Sequence, residues 1–352
     1  MRKMLMVGLL LPLACGAAPL PKFTQPNAIW NVDVSHATLR ANSAAMMTHL
    51  AAFSPSGWGD TRNFDFHIDF SFYVLHANAS TPTHPIVAFG DYYSPDCDAP
   101  GTPFPLPAGG GIEGTDPPGY ACDTGDADCH LLVVNDASKV LYEAYATNSA
   151  DASGIHATCG LRWDLTRVYP RYGRGEHCTS ADGAGFPIAP LLFNADEVWS
   201  AAQAHGDLGH AIRFILGNNR MMNDRYVHPA SHGTLATSDT NTNAVPYGSR
   251  LKLKQSFDVN GFSSNESVRV ILRTLQKYGM FLSDGGGVPL TAESDAFTTH
   301  KWDDADIDID SHSLYGIRPT DFDVVEAGDP LTVNYDCVRT PDDFIFIEGF
   351  DY

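Results

Sequence analysis

The sequence predicts an all-β protein, a β-sandwich or jelly roll with two or three short helices packed on it, and three observations carry that prediction. Residues 64 to 74 alternate strictly, with Phe64, Phe66, Ile68, Phe70, Phe72 and Val74 set against Asp65, His67, Asp69, Ser71 and Tyr73. That period of two belongs to a half-buried strand. Residues 128 to 145, DCHLLVVNDASKVLYEAY, place two aliphatic and β-branched runs on either side of the polar turn Asp136-Ala137-Ser138-Lys139, which predicts a hairpin. Elsewhere short apolar runs are separated by Gly-, Pro- and Asp-rich stretches, and helical periodicity is rare.

Taken in order, the chain opens on Arg2 and Lys3, an apolar run over residues 4 to 14, and the small residues Gly16, Ala17 and Ala18. The run is too short to span a bilayer and has the form of a cleaved export signal. Cleavage after Ala17 or Ala18 assigns residues 1–18 to a signal peptide and residues 19–352 to a single β-rich domain, extracellular or periplasmic. Leu13-Ala14-Cys15-Gly16 also resembles a lipoprotein cleavage box, with a lipid anchor at Cys15 as its consequence. Beyond Cys15 lie Cys97, Cys122, Cys129, Cys159, Cys178 and Cys337, and six cysteines in an exported chain predict three disulfides. Five of them fall between 97 and 178, so Cys122 is expected to pair within that loop-rich region, where cross-links offset a poor core.

Residues 43 to 53 read as a short helix. Residues 94 to 125 carry loop chemistry, and the GxGxxG spacing of Gly109, Gly111 and Gly114 lacks the strand before and the helix after that a dinucleotide fingerprint requires. Residues 195 to 204 form a second helix with Asp196 and Glu197 in its first turn. The clearest helix covers 266 to 278, capped by Ser264 or Asn265, ended by Gly279, and striped by Val268, Ile271, Leu272 and Leu275. Further strands are expected at 161–165, 210–216, 250–257, 280–283, 322–326 and 344–347, and polar loops lead up to Gly185 and cover 224 to 245.

Charge narrows the partners. With 42 acidic against 22 basic residues the formal net charge is −20, and loss of Arg2 and Lys3 with the signal makes it more negative still. Such a surface repels phosphate backbones and anionic lipid, which argues against nucleic acid, and no segment after the signal is apolar enough for an integral membrane span. GxSxG, HExxH, the P-loop and CxxC are all absent, which removes the hydrolase elbow, the zincins, the P-loop NTPases and the zinc ribbon.

Ionisable residues in apolar patterns mark the candidate chemistry. If Asn135 pairs with Val140, Leu132 lies opposite Glu143 and His130 opposite Tyr145, so Asp128, His130, Leu132, Leu141, Glu143 and Tyr145 share one face. Two acids, an imidazole and a phenol beside leucines can line a cleft; a solvated outer face is the plainer alternative. Glu143, His130 and Asp128 are therefore catalytic candidates, with Glu143 raised in pKa by burial against leucine provided His130 is neutral. Asp182, the lone acid of TSADGAGFPI, joins them, as do His67 and Asp69 on the alternating strand. Asp306, Asp308 and Asp310 begin like a calcium loop, but Ser311 and Ile317 stand where an EF-hand takes Gly and Glu. The run reads as a solvated face; no cofactor is expected, and a structural calcium is the one ion it would suit.

A resemblance adds to this. HxDF at 67 to 70, DxH at 128 to 130, WDL at 163 to 165, TSADGAG at 179 to 185, HAIRF at 210 to 214 and KYGM at 277 to 280 resemble a group of exported bacterial proteins without an assigned function. The likeness covers most of 60 to 326 and implies one intact domain of that group. Trp163, His210, Arg213 and Lys277 in these runs, with Tyr145, His228 and His232, are the candidate substrate contacts.

Three functions are compatible. The first is a secreted enzyme cleaving a polysaccharide or oligosaccharide: 19 Phe, 14 Tyr and 5 Trp supply stacking surface, and Glu143 with Asp128 or Asp182 supplies the two carboxyls of a glycoside hydrolase. A polysaccharide lyase would instead use His130 and Tyr145 as base and acid. The second is a non-catalytic extracellular glycan-binding or surface protein, which would not need the acids. The third is a carboxylate peptidase. The oligomeric state is not legible in the sequence.

Overall fold

The structure, a computed structural model, describes residues 20–53, 57–58, 66–123 and 128–340. Among them seventeen strands form two six-stranded sheets, one three-stranded and one two-stranded sheet, with four α-helices, which is the expected mostly-β class. The first sheet runs Ile68–Phe72, Leu290–Glu293, Ile212–Leu216, Met280–Gly285, Arg250–Leu253, Phe322–Val324. The second runs Val74–Ala77, Leu131–Asn135, Val140–Asp151, Gly154–Asp164, Thr83–Ala88, Pro103–Pro105. Both are mixed: Ile68–Phe72 and Val74–Ala77 each join their neighbour in parallel, while the central hairpin is antiparallel.

The alternating stretch becomes two strands, one in each sheet. Ile68–Phe72 and Val74–Ala77 are separated at Tyr73, and a register shift between Asp69 and Phe72 bends the chain before it crosses. Phe64 and Asp65 lie outside the described residues. Because this strand pair links the sheets, Phe72 and Val74 both enter the large core that Leu132, Leu161 and Trp163 of the second sheet share with Phe214, Leu251 and Phe281 of the first.

The hairpin has the register read from its turn, with Asn135 opposite Val140 and Leu132 opposite Glu143. Its two faces are both covered. Leu132, Val134 and Leu141 point into the shared core, while Leu131, Val133 and Ala144 pack on Phe104 and Ile112 in a smaller one. The face holding Glu143 is thus interior, where a solvated surface was the plainer expectation. An uninterrupted Leu-Leu-Val-Val run is the sequence mark of a strand buried on both sides.

Helix Glu266–Lys277 forms as its stripe requires. Asn265 caps it by accepting from the Ser267 N–H at 2.8 Å, and Val268, Ile271, Leu272 and Leu275 are all at most 3 % exposed. Each such side chain contributes about 1.5–3 kcal/mol by leaving water. Gly279 ends it with φ +67, where a Cβ would also meet the Leu251 carbonyl oxygen at 2.4 Å. Helices Ser43–Ala51 and Ala195–Gln203 appear as expected, whereas the expected 250–257 strand stops at Leu253 and gives way to a turn before the short Val259–Phe262 helix. The expected loop over 224 to 245 is flanked by strands Met221–Tyr226 and Val245–Tyr247 of the three-stranded sheet. The expected strand at 344–347 lies outside the described residues, as does the signal segment with Cys15.

All six remaining cysteines are paired: Cys97 with Cys159, Cys122 with Cys129, and Cys178 with Cys337. Cys122 pairs locally, as its surroundings predicted. Three disulfides fit an oxidising, extracytoplasmic setting. Among the described residues no helix is long and apolar enough to cross a membrane.

Candidate active site

Asp182 and Asp284 meet at a groove of about 620 Å³. The loop carrying Asp182 is held by Ser180, whose hydroxyl accepts from the Asp182 N–H at 2.9 Å and donates to the Phe186 carbonyl at 2.5 Å. Asp284 projects from strand Met280–Gly285 and accepts from the Gly183 N–H at 3.1 Å and the Gly285 N–H at 2.7 Å. Gly183 is required for that approach, since a Cβ there would stand 2.5 Å from an Asp284 carboxylate oxygen.

Arg213, on strand Ile212–Leu216 behind both acids, binds them together. Its Nε and one Nη donate to Asp182 Oδ1 at 3.2 and 2.9 Å. The same Nη lies 3.6 Å from Asp284 Oδ2, the other Nη donates to the Thr291 hydroxyl at 3.4 Å, and the guanidinium carbon sits 5.4 Å from the Phe72 ring centre. Burial opposes the Arg213 charge, but Asp182 and Asp284 outweigh it and hold its pKa above the ordinary value. Asp182 has no exposed surface, and burial lifts its pKa to about 7 against the opposing pull of Arg213. Its Oδ2 and the neighbouring Ser283 hydroxyl are both buried and meet no partner in good hydrogen-bond geometry among the described residues, although Ser283 is close enough to the carboxyl to oppose the rise. Asp284, by contrast, keeps 29 % of its side chain exposed.

Five tyrosines, Tyr92, Tyr93, Tyr145, Tyr247 and Tyr335, line the groove with Asp96, Asn218 and His232. His232 donates from Nδ1 to the Gly183 carbonyl at 2.9 Å, which leaves Nε2 as an acceptor, and burial lowers its pKa. Tyr145 is pushed up to about 12 by burial, then by Asp128 and Asp284, so it stays a phenol. Tyr247 is raised well above its usual value by burial, then by Asp284 and Asp182.

His130 lies behind Tyr145, the ring centres 5.6 Å apart. Its Nδ1 donates to Glu113 Oε2 at 2.6 Å and its Nε2 to the Ala181 carbonyl at 3.0 Å. Two acceptors on one ring call for both protons. Burial disfavours the imidazolium, yet Glu113 outweighs it and lifts the His130 pKa to about 9. Ser71 bridges Glu113 at 3.1 Å and Asp69 at 2.9 Å, and Asp69 is raised by burial and by Glu113. Asp128 is exposed near this cluster and is raised by local desolvation, with His130 opposing.

The other expected residues stand elsewhere. Glu143 is fully buried; Oε2 accepts from Trp163 Nε1 at 3.0 Å and Oε1 from the Ile188 and Ala189 N–H groups at 2.8 and 3.0 Å. Burial raises it to about 7 despite those three donors, the expected direction, with His130 a minor opposing influence. Neither Glu143 nor Trp163 lines the groove. His67 bonds the Tyr315 hydroxyl at 2.8 Å; His210 accepts from Lys22 at 2.7 Å; Lys277 pairs with Asp207 at 3.0 Å. His228 faces Glu176 at 3.4 Å and lines a separate cavity of about 410 Å³, where Arg250 is occupied by the carbonyls of Tyr278, Ile29 and Val32. In the acidic run, Asp306 accepts from Trp199 and Asp310 from the His312 N–H. Among the described residues the one group with metal-ligand spacing is Asp96, Cys178 and Cys337, whose sulfurs are bonded to each other.

Asp284, Glu113 and the tyrosines other than Tyr145 were not singled out from the sequence. Asp284 had a usable signal, an acid between the apolar Met280-Phe281-Leu282 run and Gly285-Gly286-Gly287, where a strand ends and backbone can crowd a carboxylate. Comparison with protein families, with curated proteins and with solved structures finds no match.

Proposed function

We propose that the protein is an extracytoplasmic glycoside hydrolase whose substrate lies in the tyrosine-lined groove over Asp182 and Asp284. One observation carries this reading: two carboxyl groups in different electrostatic settings share a single guanidinium nitrogen at the base of an aromatic groove. Hydrolysis of a glycosidic bond needs one protonated and one ionised carboxyl. Asp182, lifted to about 7 by burial, is half protonated near neutrality and protonated below it. Because Arg213 occupies Oδ1, that proton belongs on the unpartnered Oδ2. Asp284, partly open to solvent and surrounded by two N–H donors and Arg213, is assigned the role of nucleophile or base.

The shared nitrogen sets an upper limit on the separation of the nearest carboxylate oxygens. Asp182 Oδ1 and Asp284 Oδ2 lie 2.9 and 3.6 Å from the same nitrogen, so they are separated by no more than the sum of those distances. That limit reaches only the lower edge of the roughly 6.5–9.5 Å of inverting pairs and admits the roughly 5–5.5 Å of retaining ones. A lyase is less well supported, since His130, its candidate base, carries its proton to about pH 9.

The test is release of reducing ends from a panel of glycans, with the anomer of the first product read by NMR. Asp284→Asn, a change at a partly exposed position, is expected to lower turnover by about 10²–10⁴-fold while leaving the unfolding midpoint nearly unchanged. Undiminished turnover in that variant, or no release from any glycan, would defeat the reading.

A further inference from the structure

The charge of the groove names a substrate class within the hydrolase reading, on which this inference rests. Asp96, Asp182 and Asp284 line it, and among the described residues no Lys or Arg is in the lining. The nearby guanidinium, Arg213, is 3 % exposed and already donates to Asp182 and Thr291, with Asp284 beside it. His232, neutral by the same burial that lowers its pKa, presents an acceptor. A uronate or sulfated sugar would therefore bring its anion to carboxylates and tyrosine π-faces with no cation free to receive it.

What the groove offers is the opposite. Asp284, with 29 % of its side chain exposed, is a lining carboxylate that a ligand can reach. An ionised carboxylate so placed is stabilised by a cationic donor that a ligand brings. Tyrosine faces attract ammonium groups as well as stacking on pyranose rings, and Tyr93 and Tyr335, 43 % and 57 % exposed, present theirs at the rim. The formal net charge of −20 adds a long-range field that draws polycations toward such a site.

We infer that the groove is built for a glycan of free amino sugars, a deacetylated hexosamine polymer whose ammonium groups are received by Asp284 and Asp96 between the tyrosine rings. Neutral sugars would use the rings but bring no ammonium group to the acids.

The test measures binding of glucosamine hexamer, N-acetylglucosamine hexamer, cellohexaose and hexagalacturonate to the full-length mature protein by calorimetry, at low and at high salt. The glucosamine hexamer should bind at least about tenfold more tightly than the others, and salt should erode that advantage. Asp284→Asn and Asp96→Asn should each weaken its binding by about fivefold and flatten the salt dependence. Asp96→Asn keeps an acceptor for the Thr179 N–H, which Asp96 now bonds at 2.7 Å, so the loop survives the change. Equal or tighter binding of a neutral or acidic hexamer overturns the inference, as does unchanged affinity in both variants. If neutral glycans are cleaved and glucosamine polymers are not preferred, the substrate class falls and the hydrolase stands. If the glucosamine hexamer is preferred but no glycan is ever cleaved, the hydrolase falls and the binding class stands.

Discussion

Glu143→Gln separates scaffold from site, because its effect on stability has a pH dependence that can be worked out in advance. Burial raises Glu143 from 4.5 to about 7. Between those values the native protein holds a proton that the unfolded chain has lost, so stability falls as pH rises from about 4.5 to about 7. At about 1.4 kcal/mol per unit, the wild type loses about 3 kcal/mol over that window through this group. Gln does not titrate and escapes the loss. It keeps an acceptor for the Ile188 and Ala189 N–H groups but turns its amide against Trp163 Nε1–H, an unsatisfied contact of about 1–3 kcal/mol at every pH. The variant should therefore be the weaker protein near pH 5 and equal to or stronger than wild type near pH 8. Other titrating groups are common to both proteins and cancel in the comparison. Urea unfolding of both proteins at the two pH values measures the difference directly. Parallel profiles would refute the buried-carboxylate argument, and loss of turnover with stability untouched would return Glu143 to the chemistry.

His130 should remain protonated well above neutrality, since Glu113 lifts it from 6.5 to about 9. The stability this pair contributes is complete below about pH 6.5 and fades as pH rises through about 9, so an NMR titration showing the ring deprotonating near 6.5 would reject it. Leu272→Ala, at a position with no exposed surface, should cost about 2–5 kcal/mol in a denaturant titration. Replacing Cys97 and Cys159 together by Ser should cost about 2–5 kcal/mol, and an unchanged midpoint would mean that the cross-link adds nothing. At physiological salt the protein should pass through a heparin column without retention, given its net charge of −20.

Local pattern made the fold class and several elements legible. The register of the hairpin followed from a turn and two runs, because pairing across a short loop leaves few choices. The Glu266–Lys277 helix followed from a cap, a stripe and a terminal Gly, all within a few residues of one another. The alternating 64–74 stretch misled as a single strand, since the crossing at Tyr73 from one sheet to the other is a tertiary event that alternation does not record. The mixed sheets were invisible for the same reason: parallel neighbours such as Val74–Ala77 and Leu131–Asn135 are more than fifty positions apart in the chain.

The candidate site was half legible, and the half that was missed has a common cause. Alternation placed Asp128, His130, Glu143 and Tyr145 on one face, yet a face says nothing of depth: Tyr145 reaches the groove while Glu143 lies sealed beneath Trp163 and the 188–189 backbone. Depth is decided by what covers a strand, and the covering segments come from far along the chain. Arg213 appeared only as a substrate contact, whereas its geometry makes it the group that joins Asp182 to Asp284. Asp284 stands just past the expected 280–283 strand, beside three glycines, and only the approach of Gly183 shows why backbone without a Cβ is needed opposite it. The assembled trio spans three separate segments, with the cation behind two acids that differ in exposure. A sequence pattern can nominate each member, but the difference in exposure that would let one acid hold a proton while the other faces a ligand arises only once the sheets are packed.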